Sequence, residues 1–219
     1  MSAADATHSA DSRDRAARTK RDRTRAKLLD EGQTAFGMHG WAGTRMEFVA
    51  RRAGLSAATA YNHFPTKHVL IGHVYRPIVS PLRAQAQRDL DEGVPVRRAL
   101  TDQVHALVLM TSRHRVLSGA FLAACQEYAA RTHAPPRRDD ELDPRAIASM
   151  PESIRLLVAH GQQIGELRRA PAAEDISGMV TTLLLVRGVE APHERADVTA
   201  ELLLALLFGT QCPEQQRQQ

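Results

Sequence analysis

The three residues Gly54-Leu55-Ser56 constrain this 219-residue chain more than any other stretch. Glycine readily takes the left-handed backbone that ends a helix, and a serine just ahead of a helical pattern caps the helix that follows. Leu55 between them can plug a core. Upstream, "TRMEFVARRA" opens with Thr44, an N-cap type, has Glu47 three residues later as in a capping box, and brings Met46, Val49 and Ala50 to one side. Downstream, a helix runs from Ala57 to Phe64, where Pro65 discourages its continuation. A further helix precedes the pair, starting near Lys20, with Ala26, Leu29, Ala35 and Phe36 on one face and Gly37 to Gly40 as its stop. Three helices within about fifty residues, the last two joined by a short Gly-containing turn, make a helix-turn-helix unit.

The third helix is small-sided and polar, carrying Thr59, Tyr61, Asn62 and His63 almost in succession. A core helix would use Leu and Ile there, and a plain solvent helix Glu and Lys. In a helix-turn-helix unit the second helix of the pair lies in the major groove, where short polar side chains meet phosphates and base edges. Charge agrees with this. Residues 1–67 hold twelve Lys/Arg against seven Asp/Glu, and residues 68–219 seventeen against eighteen, so the net +4 sits in the first third. A basic face of this kind meets a polyanion or is simply solvated.

Residues 1–19 have hardly an apolar side chain and read as a flexible basic arm. Arg13, Arg15, Arg18, Lys20, Arg21, Arg23, Arg25 and Lys27 face only Asp14 and Asp22 across residues 13–27, so the arm either tracks phosphates or acts as a solubilising tail. Beyond residue 66 the pattern is helical throughout, with Pro77 and Pro81 interrupting a first helix that ends near Glu92. Segments follow near 95–112, 115–131, 145–166, 173–190 and 194–209, and "RTHAPPRRDDELDP" at 131–144 forms an exposed loop. Residues 211–219 read as a flexible tail. The chain is therefore expected to be all-α: a helix-turn-helix domain over 20–66, then a helical bundle over 67–210.

Thr44, the "VARRAGLS" turn and "TAYNHFPTKHVL" resemble the DNA-binding domain of the TetR family of bacterial transcriptional repressors, over roughly residues 20–75. The resemblance implies an N-terminal DNA-binding domain followed by a divergent helical domain for a small-molecule effector and for dimerisation. It implies that Thr44, Thr59, Tyr61, His63 and Lys67 hold DNA phosphates, roles that hydroxyl, imidazole and ammonium donors fit. Base reading would fall to Arg45, Ala57, Ala58 and Asn62, since Arg suits guanine, Asn suits adenine and Ala can touch a thymine methyl. Ser56 belongs to the same surface. Each has a plainer alternative: Thr44 and Ser56 as caps, Tyr61 as packing, His63 as a solvated ring, Asn62 bonded to a phosphate or to water. Phe64 and Leu70 belong to the core on either reading.

A recognition helix alone contacts too few base pairs, so two-fold pairing is expected. The resemblance places that pairing on the helices near 173–190 and 194–209, whose apolar faces carry Ile176, Val180 and Leu183, and Val198, Leu202, Ala205 and Leu206. The same stripes could face only their own core. A mostly apolar pocket between bundle helices is where a small, largely apolar effector would sit. The stretch 101–131 mixes apolar bulk with His105, Met110, Cys125, Gln126 and Tyr128, most of which suit an ordinary core, and none is assigned as a contact.

An enzyme is disfavoured: G-x-S-x-G, H-E-x-x-H and a phosphate-cradling glycine loop are missing. His63, His68 and His73 are five apart, which spreads them around a helix and argues against a metal sensor, and no cofactor is expected. Cys125 and Cys212 form neither a disulfide framework nor a CxxC motif. With no signal-peptide pattern or ~20-residue apolar span, the expected place is the cytoplasm, at the nucleoid. An activator of the same fold is the nearest alternative to a repressor.

Overall fold

The computed structural model describes residues 3–209, with side chains from residue 15 onward; Arg13, Cys212 and the expected tail lie outside these limits. Among the described residues the chain is all-helical: α1 (Ala3–Gly43), α2 (Met46–Arg52), α3 (Ala57–His63), α4 (Lys67–Asp91), α5 (Val96–Arg113), α6 (Arg115–Thr132), α7 (Pro144–Ile147), α8 (Glu152–Ile164), α9 (Ala173–Glu190) and α10 (Ala196–Phe208). The first three form the helix-turn-helix unit. In the bundle, α4 packs against α1, α5, α6, α7 and α8, while α9 lies against α6 and α8, and α10 against α5.

The segment before Lys20 differs from expectation: it is helical from Ala3 and continuous with α1. No Gly or Pro occurs before Gly32, so nothing local stops a run rich in Ala and Arg. Thr19 and Thr24 donate their hydroxyls back to the carbonyls of Arg15 and Lys20. The buried face is also displaced, since Leu28, Ala35 and Phe36 are buried while Ala26 is exposed. The stop does fall among the glycines, as Gly40 breaks the helix with φ +66.

Two other expectations are corrected by proline. Pro77 and Pro81 do not interrupt α4, which continues to Asp91. Spaced by four, they share an exposed face, and the amide that Pro81 lacks would have bonded the carbonyl of Pro77 itself. Conversely, the segment expected over 145–166 is two helices. Pro151 restricts Met150 and starts α8, while α7 is a single turn with Pro144 at its first position and the Asp143 side chain accepting from the Arg145 amide.

The core runs without a break from the helix-turn-helix into the bundle. Phe36, Val49, Phe64, Leu70, Ile71 and Tyr75 are buried together with Leu100, Leu107, Ile154 and Leu157. His73 stands on this seam, edge-on to Phe64 at 5.7 Å. Burial, reinforced by Arg25 and Arg76, pushes its imidazole down to about 4. The folded ring thus binds a proton less readily than the unfolded one, whose value is about 6.5. Its contribution is intact above about pH 6.5 and is lost as pH falls toward about 4. His73→Gln is expected to flatten the fall in urea midpoint between pH 7 and pH 5; the same fall in variant and parent would contradict this.

Candidate nucleic-acid interface

The turn that orients α3 is built by local chemistry. Gly54 takes φ +71, where an L side chain is strained, and the Leu55 amide reaches back to the Ala50 carbonyl at 2.9 Å. Ser56 Oγ then accepts from the Thr59 amide at 3.1 Å and shares a hydrogen bond with the Thr59 hydroxyl. Ser56 is thus the cap the sequence indicates. Ala60 faces inward and is fully buried, as is Phe64 just past the helix. Ala57, Ala58, Tyr61 and Asn62, at i, i+1, i+4 and i+5, consequently share the outer side, where Ala58, Tyr61 and Asn62 are exposed and Ala57 half-buried. Thr59 and His63 are half-buried at its edges, and Arg45 is exposed at the start of α2.

Tyr61 has a partner that sequence reasoning missed. Its hydroxyl donates to Glu47 Oε1 at 2.9 Å, tying α3 to α2. The bond raises the phenol and helps to hold the carboxyl below its usual range, after the backbone hydrogen bond at Glu47 itself. The expected capping box between Thr44 and Glu47 does not form, because the residue before α2 is Arg45 and makes no side-chain cap. The signal lay in the spacing of Glu47 and Tyr61 on two helices that the turn brings together.

Thr44 and Lys67, expected as phosphate donors, are turned inward. Thr44 is 1% exposed, and its hydroxyl is shared between the carbonyls of Gly40 (2.8 Å) and Ala35 (3.1 Å). Thr44 thereby ties the turn after the break at Gly40 back onto the body of α1. Lys67 Nζ donates to the carbonyls of Trp41 (2.8 Å) and Thr44 (3.2 Å) and stands 3.8 Å from the Trp41 ring centre. Burial lowers its ammonium from the ordinary range. The same corner is tied to the bundle, since Trp41 Nε1 donates to Glu127 Oε2 on α6 at 2.7 Å. His68 lies beneath, its Nε2 3.3 Å from Glu127 Oε1 but without hydrogen-bond alignment.

His63 completes α3. Its carbonyl accepts from Arg25, whose guanidinium also lies 4.4 Å from the Phe64 ring centre. Burial first, then Arg21 and Arg25, hold its imidazole below the usual value, so near neutral pH the ring offers one donor and one acceptor. The three evenly spaced histidines face different surroundings: His63 the arginines of α1, His68 Glu127, His73 Phe64.

The polar and polarisable residues of the 101–131 stretch are dispersed in the fold. His105 and Gln126 are exposed, Tyr128 donates to Asp140 of the 133–143 loop, and Cys125 is pushed up to about 12 by burial. In the bundle interior Met110 instead meets residues outside that set: Tyr75 stacks on Phe121 at 4.3 Å and bonds Ser118 at 2.9 Å, with Met110 Sδ 3.5 Å from its hydroxyl. The expected stripe of α9 is split: Val180 is buried and Ile176 packs on the core, while Leu183 is exposed beside Met179. That of α10 faces outward, with Val198, Leu202 and Leu206 exposed and Ala205 half-buried.

Comparison with known proteins agrees with this geometry. The family model described as bacterial regulatory proteins of the tetR family matches residues 28–74. The HTH-type transcriptional regulator BetI of Agrobacterium fabrum is 33% identical over 81 residues, a match covering 37% of this chain and 39% of that protein. The FadR repressor of Thermus thermophilus, a TetR-family protein solved with lauroyl-CoA, superposes with a TM-score of 0.67 at 19% identity, covering 86% of this chain and 97% of that one. A TetR-family transcriptional regulator from Rhodococcus sp. superposes with a TM-score of 0.62 at 21% identity, covering 85% and 97%.

Lys67→Met keeps the stem and removes the donors, taking the bond from the Thr44 carbonyl and leaving the Trp41 carbonyl only the long contact from the Thr44 amide at 3.4 Å. Urea unfolding is expected to show a loss of about 1–3 kcal/mol; an unchanged midpoint would mean that Lys67 does not hold the corner.

Proposed function

We propose, from the premise that this chain carries a TetR-family DNA-binding domain on the TetR-family fold, that it is a repressor which binds a palindromic operator as a homodimer and is released by a small effector. The observation that carries the reading is the outer face of α3, where Ala58, Tyr61 and Asn62 stand exposed on a helix otherwise anchored by Ala60 and Phe64. Asn62 and Arg45 read base edges, with Ala57 and Ala58 close enough to meet thymine methyls. Thr59, Tyr61 and His63 hold phosphates and set the register. Tyr61 reaches the duplex from a position braced by Glu47, while Ser56 fixes the start of the helix. Thr44 and Lys67 act by positioning, through the corner they close.

Dimerisation falls to α9 and α10. Met179, Leu183, Val198, Leu202 and Leu206 form an apolar surface on two adjacent helices, the arrangement that four-helix pairing between two copies requires. The effector is assigned to the bundle interior around Tyr75, Met110, Ser118 and Phe121, which is apolar apart from two hydroxyls and so suits a largely apolar molecule. Its binding would favour a conformation in which α4 moves the two recognition helices out of step with successive grooves.

Leu202→Asp/Leu206→Asp is expected to sediment as a 24.1 kDa monomer where the parent sediments at twice that mass. It should lose at least a hundredfold in affinity for an operator selected with the parent, because one half-site remains. A parent that is monomeric at micromolar concentration would contradict the pairing. Tyr61→Ala/His63→Ala should lose operator affinity while remaining a dimer, and a variant that binds as tightly as the parent would remove α3 from the interface.

A further inference from the structure

The helical extension of α1 makes a surface that the recognition helix does not account for. An open groove of ≈ 740 Å³ runs along one side of α1, lined by Arg15, Thr19, Lys20, Arg23 and Lys27 and closed at one end by Leu55 of the α2–α3 turn. The four cations are spaced by five, three and four residues, and so project from one side of the helix. Lys20, Arg23 and Lys27 are exposed, and none joins an ion pair among the described residues. Thr19 and Thr24 direct their hydroxyls to the helix backbone, which leaves the cations as the donors of the groove. Leu55 immediately precedes the cap of α3, and Arg25 on a neighbouring face of α1 bonds the carbonyl at the other end of α3, so the extension lies directly beside the recognition helix.

We propose that this groove is a second DNA contact, which holds the phosphates of one strand flanking each half-site; the inference rests on the operator-binding reading above. Charge complementarity with a duplex is what the groove offers: four cations, and no carboxylate in its lining. From Arg15 to Lys27 the helix rises about 18 Å. Measured along the duplex axis, where each strand places a phosphate about every 3.4 Å, that length corresponds to roughly five base pairs. Such contacts carry no sequence information, so they add affinity and lengthen the protected region without altering the bases selected.

The test compares full-length parent with Lys20→Gln/Arg23→Gln/Lys27→Gln on a 40-base-pair duplex of mixed sequence, measuring affinity against salt concentration. Phosphate contacts are blind to sequence, so this duplex tests the groove whether or not an operator is ever found. The variant is expected to show a log–log salt slope lower by roughly two to three, at about 0.9 for each phosphate it no longer neutralises. The control Arg113→Gln/Arg168→Gln/Arg169→Gln, exposed on the bundle, should leave the slope unchanged. An unchanged slope in the groove variant, an equal drop in the control, or tighter binding of the parent to double-stranded RNA than to DNA would each overturn the assignment. Failure of the parent to prefer any DNA sequence would instead count against the operator reading.

Discussion

The structure depends on how the chain turns at the end of α1. Gly40 breaks the helix, and the carbonyls of Ala35, Gly40, Trp41 and Thr44 gathered at the turn are met by two side chains. Thr44 and Lys67 satisfy them from opposite sides, one by a buried hydroxyl and the other by an ammonium that also caps the Trp41 ring. The consequence reaches well past the turn. Lys67 opens α4 and Glu127 of α6 receives the Trp41 indole, so one corner joins the helix-turn-helix unit to two bundle helices. A movement of α6 or α4 would be passed to α2 and α3 through these bonds, not through a loose linker.

That rigidity explains why α3 can be short and nearly free of large apolar residues. Seven residues do not form a stable helix alone. Its persistence comes from the Ser56 cap, the burial of Ala60, the Phe64 anchor, the Tyr61–Glu47 bond and the Arg25 contact at its end. Since these lie at the helix ends, on its inner face or at its α2 side, Ala58 and Asn62 are left to be chosen for what they meet outside. An outer face free of structural duty arises because stability is supplied from beneath and from the ends.

What is legible in the sequence follows from the range of each interaction. The α2–α3 turn, with Gly54, Leu55, Ser56 and Pro65, is set by neighbours a few residues apart, and the end of α2 and the start of α3 can be read directly. Long-range partners cannot. Thr44 has the residue type of a cap, and only the fold shows that its hydroxyl goes to carbonyls of α1 and not to the first amides of α2. The displacement of the buried faces on α1 and α9 has a similar cause: an apolar stripe one residue wide of another looks equivalent until the neighbouring helices choose between them. Pro77 and Pro81 mislead because a proline penalty depends on which carbonyl goes without its partner, and the break at Pro151 is hidden because a single-turn helix such as α7 has too few residues to show a period. The interior cluster of Tyr75, Ser118 and Phe121 joins residues more than forty positions apart, which spacing does not reveal.

Selection of bound sequences from a random duplex library with the purified chain bears on α3 and on the two-fold pairing at once. Two α3 helices related by a two-fold axis must enter grooves on one side of the duplex, so the expected product is an inverted repeat whose half-site centres lie about 10–10.5 base pairs, or a multiple of that, apart. Recovery of an unpaired half-site, of repeats with random spacing, or of no enriched sequence would contradict a paired recognition helix.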